Sequence, residues 1–158
     1  MKYLISSSTV IIINLISAQV SLNINAIPRD VEVLIDGEKI GKTPLRDVII
    51  RPGMHSFELK KKGYASLKHS VDVNPAESLK MDYYLNPIYS IKFFTEERGL
   101  SFELNDVHKW SKNKIRLEIE AGEHFLRVYQ NKKIIDEQTF TVDEPKSIEY
   151  IIKKKISG

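Results

Sequence analysis

Four histidines, His55, His69, His108 and His124, have the widest chemical reach in this chain of 158 residues, which contains no cysteine. A zinc site needs ligands at short, recurring spacings, and no two of these histidines form such a pair or a His-Glu-x-x-His run. The lack of cysteine removes disulfides, thiolate metal sites and a cysteine nucleophile together. His55 and His124 each follow a turn glycine by two residues and share a strand face with apolar side chains. A repeated place of this kind implies a repeated structural job, a half-buried ring bonded to a nearby backbone group. No metal and no cofactor are expected.

Catalytic sets are equally thin. Serine lies near lysine at Ser78-Leu79-Lys80 and Ser111-Lys112, on strand edges or in a loop, and carboxylates adjoin at Glu96-Glu97 and Asp143-Glu144, in turns. There is no Gly-x-Ser-x-Gly elbow, no phosphate-cradling glycine loop and no Ser-x-x-Lys beside a pocket. Glu118 and Glu120 alternate with Leu117 and Ile119 and so lie on an outward strand face beside Arg116. General acid–base work needs a carboxyl shifted by a cleft, and small β-domains offer little cleft. The chain reads as a non-enzyme.

Binding groups are more plentiful. The runs Lys60-Lys61-Lys62 and Lys153-Lys154-Lys155 each follow a strand, where lysine guards sheet edges against pairing or meets anionic wall polymer or lipid head groups. Tyr64, Tyr84, Tyr89, Phe94 and Trp110 sit off the inward parity, as does Leu34, and are candidates for an exposed carbohydrate platform or for packing between repeats.

The elements that position these residues are strands. Hydrophobic residues make up 42% and charged residues 28%, a globular balance that excludes wholesale disorder. A formal net charge of +3, spread along the chain, is unlike the basic stripe of a nucleic-acid binder. Met1–Ala18 reads as a signal peptide: Lys2, an uncharged stretch from Tyr3 to Ile16, then Ser17-Ala18 before Gln19. That stretch is shorter than the about 20 apolar residues of a spanning helix. The expected location is the periplasm, the cell surface or the medium, with membrane contact only through an uncleaved leader.

Downstream, apolar residues alternate with period two: Val20, Leu22, Ile24 and Ala26; Val31, Val33 and Ile35 before Asp36-Gly37; Val48 and Ile50 before Pro52-Gly53; His55, Phe57 and Leu59; Leu67, His69, Val71 and Val73; and Leu79, Met81, Tyr83 and Leu85. A shift of 69 residues lays Val31, Val33 and Ile35 on Leu100, Phe102 and Leu104. It also lays Gly53 on Gly122, His55 on His124, Phe57 on Leu126, Val73 on Val142, and Leu79, Met81 and Tyr83 on Ile148, Tyr150 and Ile152. Matching parity over such a length reads as a tandem duplication, because a one-residue slip turns every side chain to the other face.

The first repeat runs Pro28-Arg29-Asp30-Val31 to Asp36-Gly37, then Gly41-Lys42-Thr43-Pro44-Leu45, Pro52-Gly53-Met54-His55 and Gly63-Tyr64. In order and spacing these motifs resemble the PEGA domain, with Asp30 where the naming tetrapeptide has glycine. The second repeat has Asn105-Asp106, Lys112-Asn113 and Lys132-Lys133 in the motif places and resembles a degenerate copy. The resemblance implies an all-β chain: two tandem, small, antiparallel β-sandwich-like PEGA domains over 19–86 and 87–158, after a signal peptide over 1–18. It implies a structural or adhesive role and no catalytic residues. The motif set Pro28, Asp36, Gly37, Gly41, Thr43, Pro44, Pro52, Gly53, His55, Gly63 and Tyr64 is read as structural, with Thr43-Pro44 fixing an extended segment. The expected function is an exported structural or protein-interaction module of a prokaryotic envelope, the alternative a cell-wall or carbohydrate binder; the expected partner is an envelope protein or cell-wall polymer. Two small cores without a covalent staple are expected to touch, with Leu85, Ile88 and Tyr89 at the joint.

The exported protein should begin at or near Gln19, so its intact mass should lack Met1–Ala18. A full-length mass in the envelope fraction would make the segment an anchor instead.

Overall fold

Alternation of period two becomes fourteen strands and no helix in a computed structural model that describes residues 18–75 and 78–152. Residues 1–17, on which the signal-peptide reading falls, and the run Lys153-Lys154-Lys155 lie outside the described residues. The first seven strands are β1 (Val20–Ile27), β2 (Glu32–Ile35), β3 (Glu38–Lys42), β4 (Leu45–Ile50), β5 (Gly53–Lys60), β6 (Leu67–Val73) and β7 (Leu79–Tyr84). The second seven are β8 (Ile88–Phe94), β9 (Leu100–Leu104), β10 (His108–Trp110), β11 (Lys114–Glu120), β12 (Gly122–Gln130), β13 (Lys133–Val142) and β14 (Lys146–Glu149).

Each set of seven makes one sandwich-like unit. In the first, a three-stranded sheet in the order β4-β1-β7 accompanies a four-stranded sheet in the order β3-β2-β5-β6. The second has β11-β8-β14 and β10-β9-β12-β13, the same orders seven strands on. Pairing is antiparallel except where the last strand of a unit joins the first, β7 on β1 and β14 on β8, which run parallel. The expectation of purely antiparallel sheets is corrected there. A parallel pair needs a long crossover, and here the whole unit serves as that crossover.

The alternating faces supply two cores that share no residue. Leu22, Ile24, Val31, Val33, Phe57 and Leu59 are fully buried in the first. Ile91, Leu104, Leu126 and Val128 are fully buried in the second, with Phe93, Phe102 and Trp110 around them. Val33 and Phe102, Phe57 and Leu126, and Val73 and Val142 all point inward, as the shift requires. Register confirms it: Leu22 opposes Val48 as Ile91 opposes Leu117, and His55 opposes Val71 as His124 opposes Phe140.

The shift fails at the last strand. Leu22 opposes Leu79 but Ile91 opposes Lys146, so Met81, not Leu79, has Ile148 as its counterpart. The strand has slid by two residues, which preserves the buried face. One further correspondence escaped the sequence comparison. Asp30, at φ 59°, has Gly99, at φ 71°, as its counterpart, so the second unit carries glycine in the bend where the first carries aspartate.

At the joint, Leu85 belongs to the first core and Tyr89 packs against the second. Backbone hydrogen bonds cross it. Ala65 N–H donates to Asn86 C=O and Ile88 N–H to Gly63 C=O, each at 2.8 Å, while Ala121 N–H donates to Pro87 C=O at 2.8 Å. Tyr64 and Pro87 form an isolated antiparallel bridge.

Gly53 and Gly122 open β5 and β12 at φ 118° and 134°, a region L side chains rarely enter, with open space where a Cβ would stand. Strain rather than clash therefore sets the cost of substitution. Gly53→Val or Gly122→Val should destabilise the protein by about 1–3 kcal/mol, read as a lower denaturation midpoint; an unchanged midpoint would refute this.

Candidate functional site

The motif residues gather at the two ends of β2. At one end, Asp36 and Gly37 make the β2–β3 hairpin turn with φ 53° and 83°, both positive as a two-residue turn of this type needs. Asp36 Oδ1 accepts the Ser56 N–H at 2.8 Å, and Asp36 Oδ2 lies 2.6 Å from His55 Nδ1. His55 Nε2 lies 2.9 Å from the Arg51 carbonyl oxygen. The second unit rebuilds this clamp. Asn105 Oδ1 accepts the Phe125 N–H at 2.9 Å, its Nδ2 lies 2.7 Å from His124 Nδ1, and His124 Nε2 lies 2.8 Å from Glu120 O. The ring bonded to a backbone carbonyl is as expected for both histidines.

At the other end, Thr43 is buried and joined to the residues just before β2 by three bonds. Its N–H donates to Val31 O at 2.9 Å, its Oγ1 accepts the Val31 N–H at 3.1 Å, and its C=O accepts the Asp30 N–H at 3.0 Å. Thr43-Pro44 was expected to hold an extended segment; it is a bend with a cis peptide bond, as is Ile27-Pro28. Gly41 opposes Val33 across the β2–β3 ladder, and Trp110 takes that place against Phe102. Gly63 and Tyr64 hold the joint. Nothing brings the two ends together into one pocket.

The remaining histidines stand apart. His69 lies between Phe57 and Tyr83, with Nε2 3.0 Å from the Tyr83 hydroxyl, whose pKa burial pushes up to about 12. His108 is exposed on β10. Among the described residues, no three His, Asp or Glu side chains form a group that could hold a metal ion.

Most of the aromatic candidates are covered in whole or in part. Trp110 is only 9% exposed, stacked on Phe102 with ring centres 5.3 Å apart. Tyr64 and Tyr89 pack against the two cores, Phe94 is half-buried with Lys92 over its ring, and only Tyr84 is fully exposed. Outward parity does not amount to exposure here, because packing within each unit covers these rings wholly or in part.

The four-stranded sheets do carry grooves, and these occupy matching places on their outer faces. In the first unit, Glu32 has Lys42 and Lys60 as cross-strand neighbours. Together with Lys61 and Lys62 they line an open groove of about 590 Å³. Lys61 Nζ donates to Arg29 O at 2.7 Å and Lys60 Nζ lies 3.0 Å from Glu58, while Lys39 pairs with Glu32. The Lys39 bond is the main force holding the Glu32 carboxyl below its ordinary range, aided by Lys42 and Lys60. In the second unit, Lys109, Trp110, Tyr129 and Lys132 line a groove of about 520 Å³ around Glu103. Glu103 accepts from the Tyr129 hydroxyl at 2.5 Å and from Lys109 Nζ at 3.0 Å, bonds that lower its pKa. Sequence reasoning singled out the Lys60–Lys62 run but missed Glu32, Lys42, Glu103, Lys109 and Tyr129. Their common signal is outward parity on three neighbouring strands, visible only once strand order is known.

With this geometry in place, comparison decides the family of the first unit. Residues 19–88 match the PEGA domain. The PEGA segment thus runs from before β1 to the start of β8 and contains both motif clusters. Among curated proteins, none matches the chain significantly. Two solved structures are distantly similar. The Bacillus anthracis TIE protein has TM-score 0.32 and 10% identity, over 85% of this chain and 34% of that one. The Streptococcal ancillary pilin has TM-score 0.40 and 12% identity, over 90% of this chain and 64% of that one. The chain spans about a third of the first and under two thirds of the second, and neither likeness extends to function.

The PEGA clamp carries a pH signature. The Ser56 N–H first, then His55, hold the Asp36 carboxyl below its ordinary range; Asp36 raises the His55 pKa against the opposing effect of burial, with help from the Arg51 carbonyl. A lowered carboxyl stabilises above about pH 4 and ceases to as pH falls through its folded value; a raised imidazole stabilises below about pH 6.5 and ceases to as pH rises through its own. The clamp is therefore strongest between those limits. Asp36→Asn, the residue present at 105, keeps the acceptor for Ser56 and removes the charge. It should lower the melting temperature more at pH 5.5 than at pH 8.5, and equal losses would show that the charge contributes nothing.

Proposed function

We propose that the chain is an exported, non-enzymatic module of the cell envelope, structural or protein-interacting, with residues 87–158 forming a second, diverged PEGA-like domain. The observation that carries this reading is the engagement of the motif's polar groups in the fold. Both Asp36 oxygens, both His55 nitrogens and every polar atom of Thr43 hold turns and strand ends. With these side chains engaged in holding the fold, Asp36, His55 and Thr43 serve structure first. The PEGA match over 19–88 agrees with a structural role. The identical strand orders and the rebuilt clamp at Asn105 and His124 support the diverged copy.

One observation favours a second reading, binding of anionic cell-wall polymer: the lysine groove of the first unit, where Lys42 and Lys62 extend from exposed positions. Sedimentation of the purified protein with insoluble cell-wall polymer separates the two. The structural reading expects the protein to stay in solution. Retention that disappears in about 0.5 M salt, where screening acts within a few ångströms, and in the triple variant Lys42→Ala, Lys60→Ala, Lys62→Ala, would establish the binder in its place.

A further inference from the structure

Each four-stranded sheet has two edge strands, β3 and β6 in the first unit and β10 and β13 in the second; β6 and β13 hold the same place and differ in chemistry. Charged side chains, lysine above all, keep a sheet edge from pairing. β6 is so guarded, with exposed Lys68 and Asp72 on its outer face. Over Asp136–Val142, the regular part of β13, the exposed outer residues are Glu137, Thr139 and Thr141. Glu137 is neutralised within its own sheet by Arg127, whose Nε lies 2.9 Å from its carboxylate. The stretch before it is interrupted, because the β12–β13 register shifts beyond the Val128–Asp136 pair.

The direction of the free backbone groups follows from the clamp. Phe125 turns its N–H and C=O toward Asn105, on the β9 side of β12. Backbone direction alternates along a strand, so Leu126 bonds toward β13, where it opposes Gln138. Even-numbered residues of β13 thus face β12. Glu137, Thr139 and Thr141 present their N–H and C=O groups to the open edge.

We propose that this edge pairs antiparallel with the same edge of a second copy, Thr139 opposite Thr139 across a two-fold axis. Glu137 then opposes Thr141, and all three outward residues exchange backbone bonds. No like charges meet, and facing threonines form a favourable cross-strand pair. Sliding the pairing so that Gln138 opposes itself draws the irregular stretch into the ladder. A further slide sets Glu137 against Glu137. The self-complementary register is the one centred on Thr139.

The absence of cysteine gives a clean background for the test. Directly opposed residues in such a ladder have Cα atoms about 5.5 Å apart, within disulfide range. The purified protein at about 0.5 mM, a concentration at which even weak edge pairing registers, should sediment as a dimer. Thr139→Cys should cross-link under mild oxidation, whereas Thr141→Cys, equally exposed but opposite Glu137, should not. Thr139→Lys, which sets lysine against lysine at an exposed site, should weaken association at least tenfold with an unchanged circular dichroism spectrum. A wild-type monomer at that concentration, equal cross-linking at 139 and 141, or undiminished association of Thr139→Lys would overturn the proposal.

Discussion

Each unit depends on one side-chain acceptor in a hairpin turn, Asp36 in the first and Asn105 in the second. With no disulfide available, a unit of this size must hold two thin sheets together by its core and by whatever crosses between them at the ends. The acceptor ties the β2–β3 turn to β5 through the Ser56 N–H, and the His55 ring carries the connection on to Arg51, at the end of β4. β2 and β5 lie in one sheet and β4 in the other. The pair thus joins both sheets at the point where the chain passes between them, and the second unit does the same with Asn105, His124 and Glu120.

The opposite ends show that closure matters more than the residue that performs it. Thr43 closes the first unit by bonding Val31 and Asp30. Its place in the second unit is taken by Lys112, and the end is closed from another strand: Thr95 N–H donates to Asn113 O and Thr95 Oγ1 to Tyr150 O. Outer faces are under no such demand. Around the place shared by Lys60 and Tyr129, the first unit has a Lys42-Glu32-Lys60 row and the second the Glu103 carboxylate, held by Tyr129 and Lys109. Chemistry that could distinguish partners lies where the fold tolerates variation.

Strand content and inward faces were legible because side-chain direction alternates without exception along a strand, so Val33, Phe57 and Leu126 had nowhere else to point. The hairpin at Asp36-Gly37 was legible for a comparable reason, since few residue pairs tolerate two positive φ angles. Parity says nothing of which strands lie side by side. The parallel closure of β7 on β1, the matching grooves and the burial of Trp110 depend on that order and were out of reach. The two-residue slide of β14 was also hidden, because it leaves every face unchanged. Thr43 reads only as part of an extended Thr-Pro segment, since a hydroxyl's engagement with backbone distant in sequence leaves no local trace.

The joint extends the logic of closed ends to the relation between units. Asn86-Pro87-Ile88 behaves as a short strand segment: its carbonyls and N–H groups are claimed by Ala65 and Gly63 on one side and by Ala121 on the other. The residues flanking it, Leu85 and Tyr89, are each committed to a different core. A free swivel would have to break backbone bonds and withdraw an apolar side chain from one core at the same time. Each bond contributes only about 1 kcal/mol net, but they act together on three consecutive residues, one of which is a proline with a restricted φ. The connection between the units is thus made by backbone bonds along the chain itself. The same Gly63-Tyr64 segment that helps define the first unit's motif supplies part of that connection.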